Sequence, residues 1–306
     1  MSKYLDPKAD LTFKKVFGEH KNLLISLLNA LLPLDKDQMI ESIEYWPAEK
    51  IPRRAEIEKD SIVDVCCRDK KGREFLVEMQ MTWSEEFRKR VLFNSAKAYV
   101  AQSVSGQDYG DLQPVYSLNF INSNMNLDVD GYYHYYRLVH EKNTKEIING
   151  LQLVFIELPK FRPETMSEKK MQVLWLRYLT EINSQIKEAP AELLENPEVN
   201  QALSILETSS YTEEQMRTYD RFWDNISIYR TLEGARNRET KMRIVAEQKL
   251  DIAEQKLDKA EQERDEAKAQ MESMINFLKQ QGMSDSRIAE IMSQKGKNTA
   301  ESEDGK

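Results

Sequence analysis

The stretch SIVDVCCRDKKGREFLVEMQ, residues 61–80, decides the fold. Two β-rich runs, 61–68 and 73–82, flank a turn. Asp69 suits the first position of a type I turn, and Gly72 the left-handed position that closes a three-residue loop made with Lys70 and Lys71. That loop sets Asp69 opposite Arg73, Cys66 opposite Leu76, Asp64 opposite Glu78 and Ile62 opposite Gln80. A four-residue loop would set Asp64 opposite Val77 instead, so the turn decides the register. In the first register two carboxylates face one another, with Cβ atoms about 5 Å apart. Like charges so placed repel, which calls for a shared proton, a neighbouring base or a bound cation. Two carboxylates beside the main-chain carbonyl of Met79 suit Mg²⁺, with Mn²⁺ or Ca²⁺ as alternatives. Gln80 shares their face and offers a neutral amide to a bound water or phosphate. The plain alternative is a solvent-facing acidic pair without a role. Against it, Ile62, Cys66 and Leu76 make that face largely apolar.

Outward from the hairpin, the pattern alternates helix and strand. A helix reads from Asp10 through Phe13, Val16 and Phe17, with Asp10 as N-cap, and a second from Leu23 to Leu32 ends before Pro33. Ile43, Tyr45 and Trp46 suggest a short strand. Ser84 caps a long helix running to about Val104, with Gly106 past its end. Further strands read over 114–121, 132–139 and 151–157, and a helical pattern broken near Pro190 and Pro197 runs from 164 to 232. Arg88 and Arg90 open the long helix, and Arg90, Asn94 and Lys97 share one face of it. That ridge is either a backbone-phosphate contact or a solvated face.

The 306 residues carry a formal net charge of −8, which argues against a broad, sequence-blind grip on DNA. Residues 50–97 nevertheless hold 12 basic and 9 acidic residues, so phosphate is sought there first. The adjacent Cys66 and Cys67 point to opposite faces of a strand, which disfavours a disulfide and fits a reducing cytoplasm. The N-terminus shows no apolar signal core, and no run is long enough to cross a bilayer, so a cytoplasmic protein with no membrane partner is expected. His20, His134 and His140 lack zinc-ligand spacing. Tyr132, Tyr133, Tyr135 and Tyr136 either stack on bases or pack in a sheet, and packing is the more common outcome.

Residues 236–281 change character. AEQKLDI, AEQKLDK and AEQERDE (246–266) form a seven-residue repeat. Leu250, Leu257 and Met271 fall at position a and Ala246, Ala253, Ala260 and Ala267 at d, with Arg264 interrupting the seam. The pattern predicts a coiled coil and hence a homodimer; a solitary charged helix with ion pairs between successive turns is the alternative. Gly282 ends this helix, and Ser284 caps a last short one before a polar tail. Three segments follow from this division: 1–235, 236–281 and 282–306.

The chain resembles the PD-(D/E)XK nuclease family that includes transposase-like, recombination-promoting nucleases. The likeness rests on DLTFKKVFG (10–18), the Asp64 strand, VEMQ (77–80), Arg90 and Tyr99, GQDYGDLQPVYSL (106–118) and IELPKF (156–161), and spans roughly 3–230. It implies an α/β fold with a mixed central sheet flanked by helices, of restriction-endonuclease type. It also implies Asp64 as the motif aspartate and Glu78 as the glutamate of the (D/E)XK element. Gln80 stands where the lysine of the motif usually sits, so charge must come from metal or another base, and Arg90 is the foremost source. Related nucleases often place an acid on the first helix, which makes Asp10 either a third metal ligand or a simple cap.

These features predict a Mg²⁺-dependent DNA endonuclease linked to recombination or mobile elements. Asp64, Glu78 and the Met79 carbonyl are the ligands, Gln80 orients the water, and Arg88, Arg90, Asn94 and Lys97 meet the DNA. The competing reading, favoured by Gln80 and the negative net charge, is a catalytically silent DNA-binding or assembly protein. A third assigns the biology to the coiled coil. The closing segment FLKQQGMSDSRIAEIM (277–292) resembles a helix-turn-helix fragment and reads as a cap on the coiled coil.

Overall fold

The computed structural model describes residues 3–46, 63–103, 108–125, 129–163 and 170–291. Its centre is a six-stranded mixed sheet of order β1-β2-β3-β4-β6-β5. The strands are β1 (Ile43–Tyr45), β2 (Val65–Asp69), β3 (Glu74–Gln80), β4 (Val115–Ile121), β5 (Tyr133–His140) and β6 (Asn143–Glu157). β1, β2 and β3 pair antiparallel, β3–β4 and β4–β6 pair parallel, and β5 closes the far edge antiparallel to β6.

The β2–β3 turn follows its local chemistry. Gly72 takes φ 82°, and its N–H donates to the Asp69 carbonyl at 3.1 Å. The Asp69 carboxylate accepts from the Lys71 and Arg73 N–H groups and pairs with the Arg73 guanidinium. Cys66 therefore faces Leu76 and Val65 faces Val77, as the three-residue loop requires. Ile62, expected opposite Gln80, lies outside the described residues.

Helices flank the sheet: α1 (Asp10–Phe13), α2 (Lys21–Leu31), α3 (Glu85–Ala101), α4 (Lys170–Glu181), α5 (Ala191–Leu194) and α6 (Pro197–Ile205); a long helix, α7 (Glu213–Gln280), follows them. One π-helical turn, Lys14–Gly18, extends α1. The main core joins Phe13 and Phe17, the α2 leucines, Trp175 and Tyr178 of α4, and Val65, Phe75, Val77, Leu118 and Val154 of the sheet. Truncating one such buried leucine costs about 2–5 kcal/mol. α3 covers the opposite face, where Ala98 meets Cys66 and Leu76, and Phe87 and Val91 meet Ile121 and Phe155. Cys66 and Cys67 are buried free thiols, each in the core on its own side of the sheet.

The expected caps form at Ser84, whose hydroxyl accepts from the Phe87 N–H, but not at Asp10. Ala9 is the N-cap of α1, and Asp10 is already its first helical residue, with its carboxylate on Lys14 one turn later. β6 also begins eight residues before the expected 151. Its first half lacks apolar alternation and is a strand only because it pairs with β5. Tyr132 packs on Phe161 and the Tyr133 hydroxyl donates to the Leu31 carbonyl, so these two tyrosines are structural. Val104 and Gly106 lie outside the described residues.

Two compact units divide the chain, Met1–Ile228 and Tyr229–Lys306. In the first, a satellite core of Leu5, Ala9 and Tyr219, with Phe222 and Trp223 against it, ties the N-terminal segment to the start of α7. In the second, α7 continues without a break through the heptad segment, leaving Leu250 and Leu257 59% and 61% exposed. Gly282, at φ 82°, ends it, with Gly282 N–H donating to Lys279 and Met283 N–H to Leu278 in a Schellman arrangement. A last short helix over 285–291 starts at Ser284. No described helix is long and apolar enough to cross a membrane.

Candidate active site

The hairpin register ends at Val65 opposite Val77, with Asp64 and Glu78 the next residue on each side. Asp64 stands one residue before the strand, and its Oδ2 accepts the Met79 N–H at 2.8 Å. The side chain thus replaces the ladder bond that the backbone no longer makes. Its other oxygen, Oδ1, lies 3.9 Å from the Lys14 ammonium, which also holds Asp10 Oδ1 at 2.6 Å. Burial pushes the Asp64 carboxyl up to about 7; the Met79 N–H and Lys14 pull against that, while Asp10 and Glu78 add to it.

Glu78 points to the α3 side and is buried. Its Oε1 accepts from Asn94 Nδ2 at 3.2 Å, and Oε2 faces the Arg90 guanidinium at 3.4 Å. Burial raises its pKa, and Arg90 and Asn94 restrain the rise. On the neighbouring strand Asn119 stands in register with Glu78, fully buried, its amide donating to the Val154 carbonyl at 3.0 Å. The floor beneath Glu78 is therefore polar and satisfied.

Gln80 does not face the two acids with its amide. Its Nε2 donates to the Thr82 carbonyl at 2.9 Å, and its Oε1 accepts from Arg90 at 3.1 Å. Arg90, also stacked 4.9 Å over the Phe87 ring, is thereby committed to Glu78, Gln80 and the root of its own helix.

Seven of the residues singled out in the sequence thus come together: Asp10, Asp64, Glu78, Met79, Gln80, Arg90 and Asn94. Asn94 is buried under α3 on Glu78, so it sits beneath the site and not on an open ridge. Arg88 turns back to Glu85, and Lys97 is half-buried on α3. Lys14 was missed by the sequence reading. Its spacing of four from Asp10 is visible in the sequence, but its approach to Asp64 is a tertiary contact with no local sign.

A hard divalent ion takes oxygen ligands, and the half-buried Asp64 and buried Glu78 offer two carboxylates whose charged forms burial penalises. Such an ion would relieve that penalty, so the donor set fits it. Among the described residues, no group of three or more His, Cys, Asp or Glu side chains is gathered closely enough to hold a metal. The carboxylates lean instead on Met79 N–H, Lys14, Asn94 and Arg90. The three histidines lie apart from the site: His20 on the Lys15 carbonyl, His134 on Glu157, and His140 at the β5–β6 turn.

Searches of curated proteins and of solved structures returned no match. The sequence model of one family does match, over residues 7–228, which takes in every element of the sheet and the whole site and ends where the first compact unit ends. The chain therefore belongs to the PD-(D/E)XK nuclease family transposases.

Proposed function

We propose that the protein is a divalent-metal-dependent DNA endonuclease acting in recombination or the movement of mobile elements. The observation that carries this reading is the Met79 N–H bond to Asp64, which ties a half-buried carboxyl to the strand that bears the buried Glu78, both with raised proton affinity. Asp64, Glu78 and the Met79 carbonyl would hold Mg²⁺, or Mn²⁺ in its place, with Asp10 as an additional ligand. The bound ion would acidify a water molecule and offset charge growing on the phosphate. Asn94 holds Glu78 in place, and Arg90 presents a cation at the rim beside Gln80, where Lys97 and Arg88 of the same helix add basic charge toward the DNA backbone. Gln80, with its amide turned to Thr82, orients water only after a rotamer change. Homodimerisation through the heptad segment is part of this proposal, since paired sites favour a double-strand break over a nick.

The test compares wild type with Asp64→Ala and Glu78→Ala on supercoiled plasmid with Mg²⁺, Mn²⁺ or Ca²⁺. Cleavage by wild type alone is expected; equal nicking by all three proteins would remove the reading. The engagement of Gln80 with Arg90 and Thr82 favours a second reading, a DNA-binding protein that does not cut. Metal binding without cleavage, and DNA affinity untouched by the two alanine variants, would select it.

A further inference from the structure

The motif lysine is absent from the strand, and the cation beside Gln80, Arg90, is already held by Gln80 and Glu78. Another cation stands on the other flank of the acid pair. Lys14 reaches it from the helical layer on the far side of the sheet from α3, at the first residue of the π-helical turn Lys14–Gly18. π-turns are rare and recur at functional sites, where the extra residue re-aims side chains. Lys14 is 39% exposed at its side chain and Asp10 50%, whereas Asp64 is 18% exposed, so the ammonium lies between a half-buried carboxylate and solvent. Its contact with Asp64, at 3.9 Å, is loose. Arg90, by contrast, is engaged by Glu78, by Gln80 and by the Phe87 ring. A lysine is also a compact charge on a flexible stem, able to leave Asp10 for a phosphate oxygen without losing its reach to Asp64.

We propose that Lys14 supplies the catalytic positive charge that position 80 lacks, acting on the scissile phosphate or the attacking water at the Asp64 end of the site. The inference rests on the nuclease reading above. In the hydrolysis, the water oxygen bonds to phosphorus and the bond to the leaving sugar oxygen breaks with its electron pair. The water gives up a proton to solvent, and the leaving oxygen takes one back. The ammonium changes none of these counts; it lowers the barrier by meeting charge as it grows on the phosphoryl oxygens.

The experiment uses the full chain as wild type, Lys14→Met, Lys14→Arg and the double variant Lys14→Met/Gln80→Lys. Plasmid cleavage is read with Mg²⁺, and in parallel Mg²⁺ affinity by calorimetry and the melting temperature. Lys14→Met is expected to slow cleavage about 100-fold, the scale of losing one preorganised charge-stabilising group. Its Mg²⁺ affinity should hold or tighten, because a competing cation has left Asp64 and Asp10, and its melting temperature should hold. Lys14→Arg should keep part of the rate, and the double variant should regain part of what Lys14→Met lost by restoring a lysine to the strand. Wild-type speed in Lys14→Met would overturn the proposal. So would a loss of rate accompanied by weakened Mg²⁺ binding, which would make Lys14 a mere tether for the acids. Wild-type cleavage that survives Asp64→Ala would instead sink the nuclease reading itself, whatever Lys14→Met does.

Discussion

Asp64 is the residue on which the chemistry and the stability of the site meet. Its carboxyl is raised from 3.8 to about 7, with burial the largest cause. A carboxyl whose folded pKa exceeds its unfolded value binds its proton more tightly when folded. It therefore favours the fold in acid, and that advantage is lost as pH climbs between the two values. Above neutrality the ionised, metal-free site costs up to about 4 kcal/mol. Asp64→Asn keeps an oxygen for the Met79 N–H and never ionises. In chelator it is expected to melt above wild type at alkaline pH, with the gap closing as pH falls through 7 toward the ordinary carboxylate range. Adding Mg²⁺ should raise only the wild type, since a neutral amide lacks the charge that makes the ionised Asp64 carboxylate a ligand for the ion. A gap that stayed constant across a pH series of melts would show that Asp64 is not the titrating group.

At the scale of elements, the β2–β3 hairpin sets which side chains meet. Gly72 at φ 82° would place an added Cβ 3.2 Å from Gln113 Cγ, so Gly72→Ala meets both backbone strain and a tight neighbour. A cost of about 1–3 kcal/mol is expected. Because the turn sets the β2–β3 register that leads to Asp64 and Glu78, Mg²⁺ affinity should fall with it; chemical denaturation and calorimetry check the two together. An unchanged affinity would mean that the sheet fixes the register without the turn. This hairpin was legible in the sequence because its signals are local: Asp69 and Gly72 are three residues apart, and their chemistry favours the three-residue loop that forms over a four-residue one. The Ser84 cap was legible for the same reason. What escaped was set by distant partners. Asp10 resembles a cap in isolation, yet Lys14 claims its carboxylate and links it to Asp64. Asn94 resembles one more polar residue on a basic helix face, yet it lies buried on Glu78. The first half of β6 carries no strand pattern of its own and takes its form from β5. The polar floor at Asn119 was equally invisible, since only the sheet order brings it beside Glu78.

For the whole molecule, the family match and the first compact unit both stop at residue 228, inside α7. A chain ending there keeps Tyr219, Phe222 and Trp223 and should melt cooperatively, with the Mg²⁺ affinity proposed for the full chain unchanged. Sedimentation should show the full chain as a dimer and the shortened one as a monomer; identical masses would remove the heptads from the assembly. The same satellite core has a bearing on how the protein is made. The Asp6 N–H donates to the Tyr219 hydroxyl, a partner 213 residues further along, and the Lys3 carbonyl and Leu5 N–H bond to Thr208 and Leu206. The segment at residues 3–6 thus finds these partners only once residues 206–219 have been made, and Asp10 and Lys14 follow directly behind it. Closure that waits on so distant a strand of contacts is slow. Asp10 and Lys14 would therefore settle beside Asp64 only after residue 219 has been made, later than the locally set hairpin that carries Asp64 and Glu78.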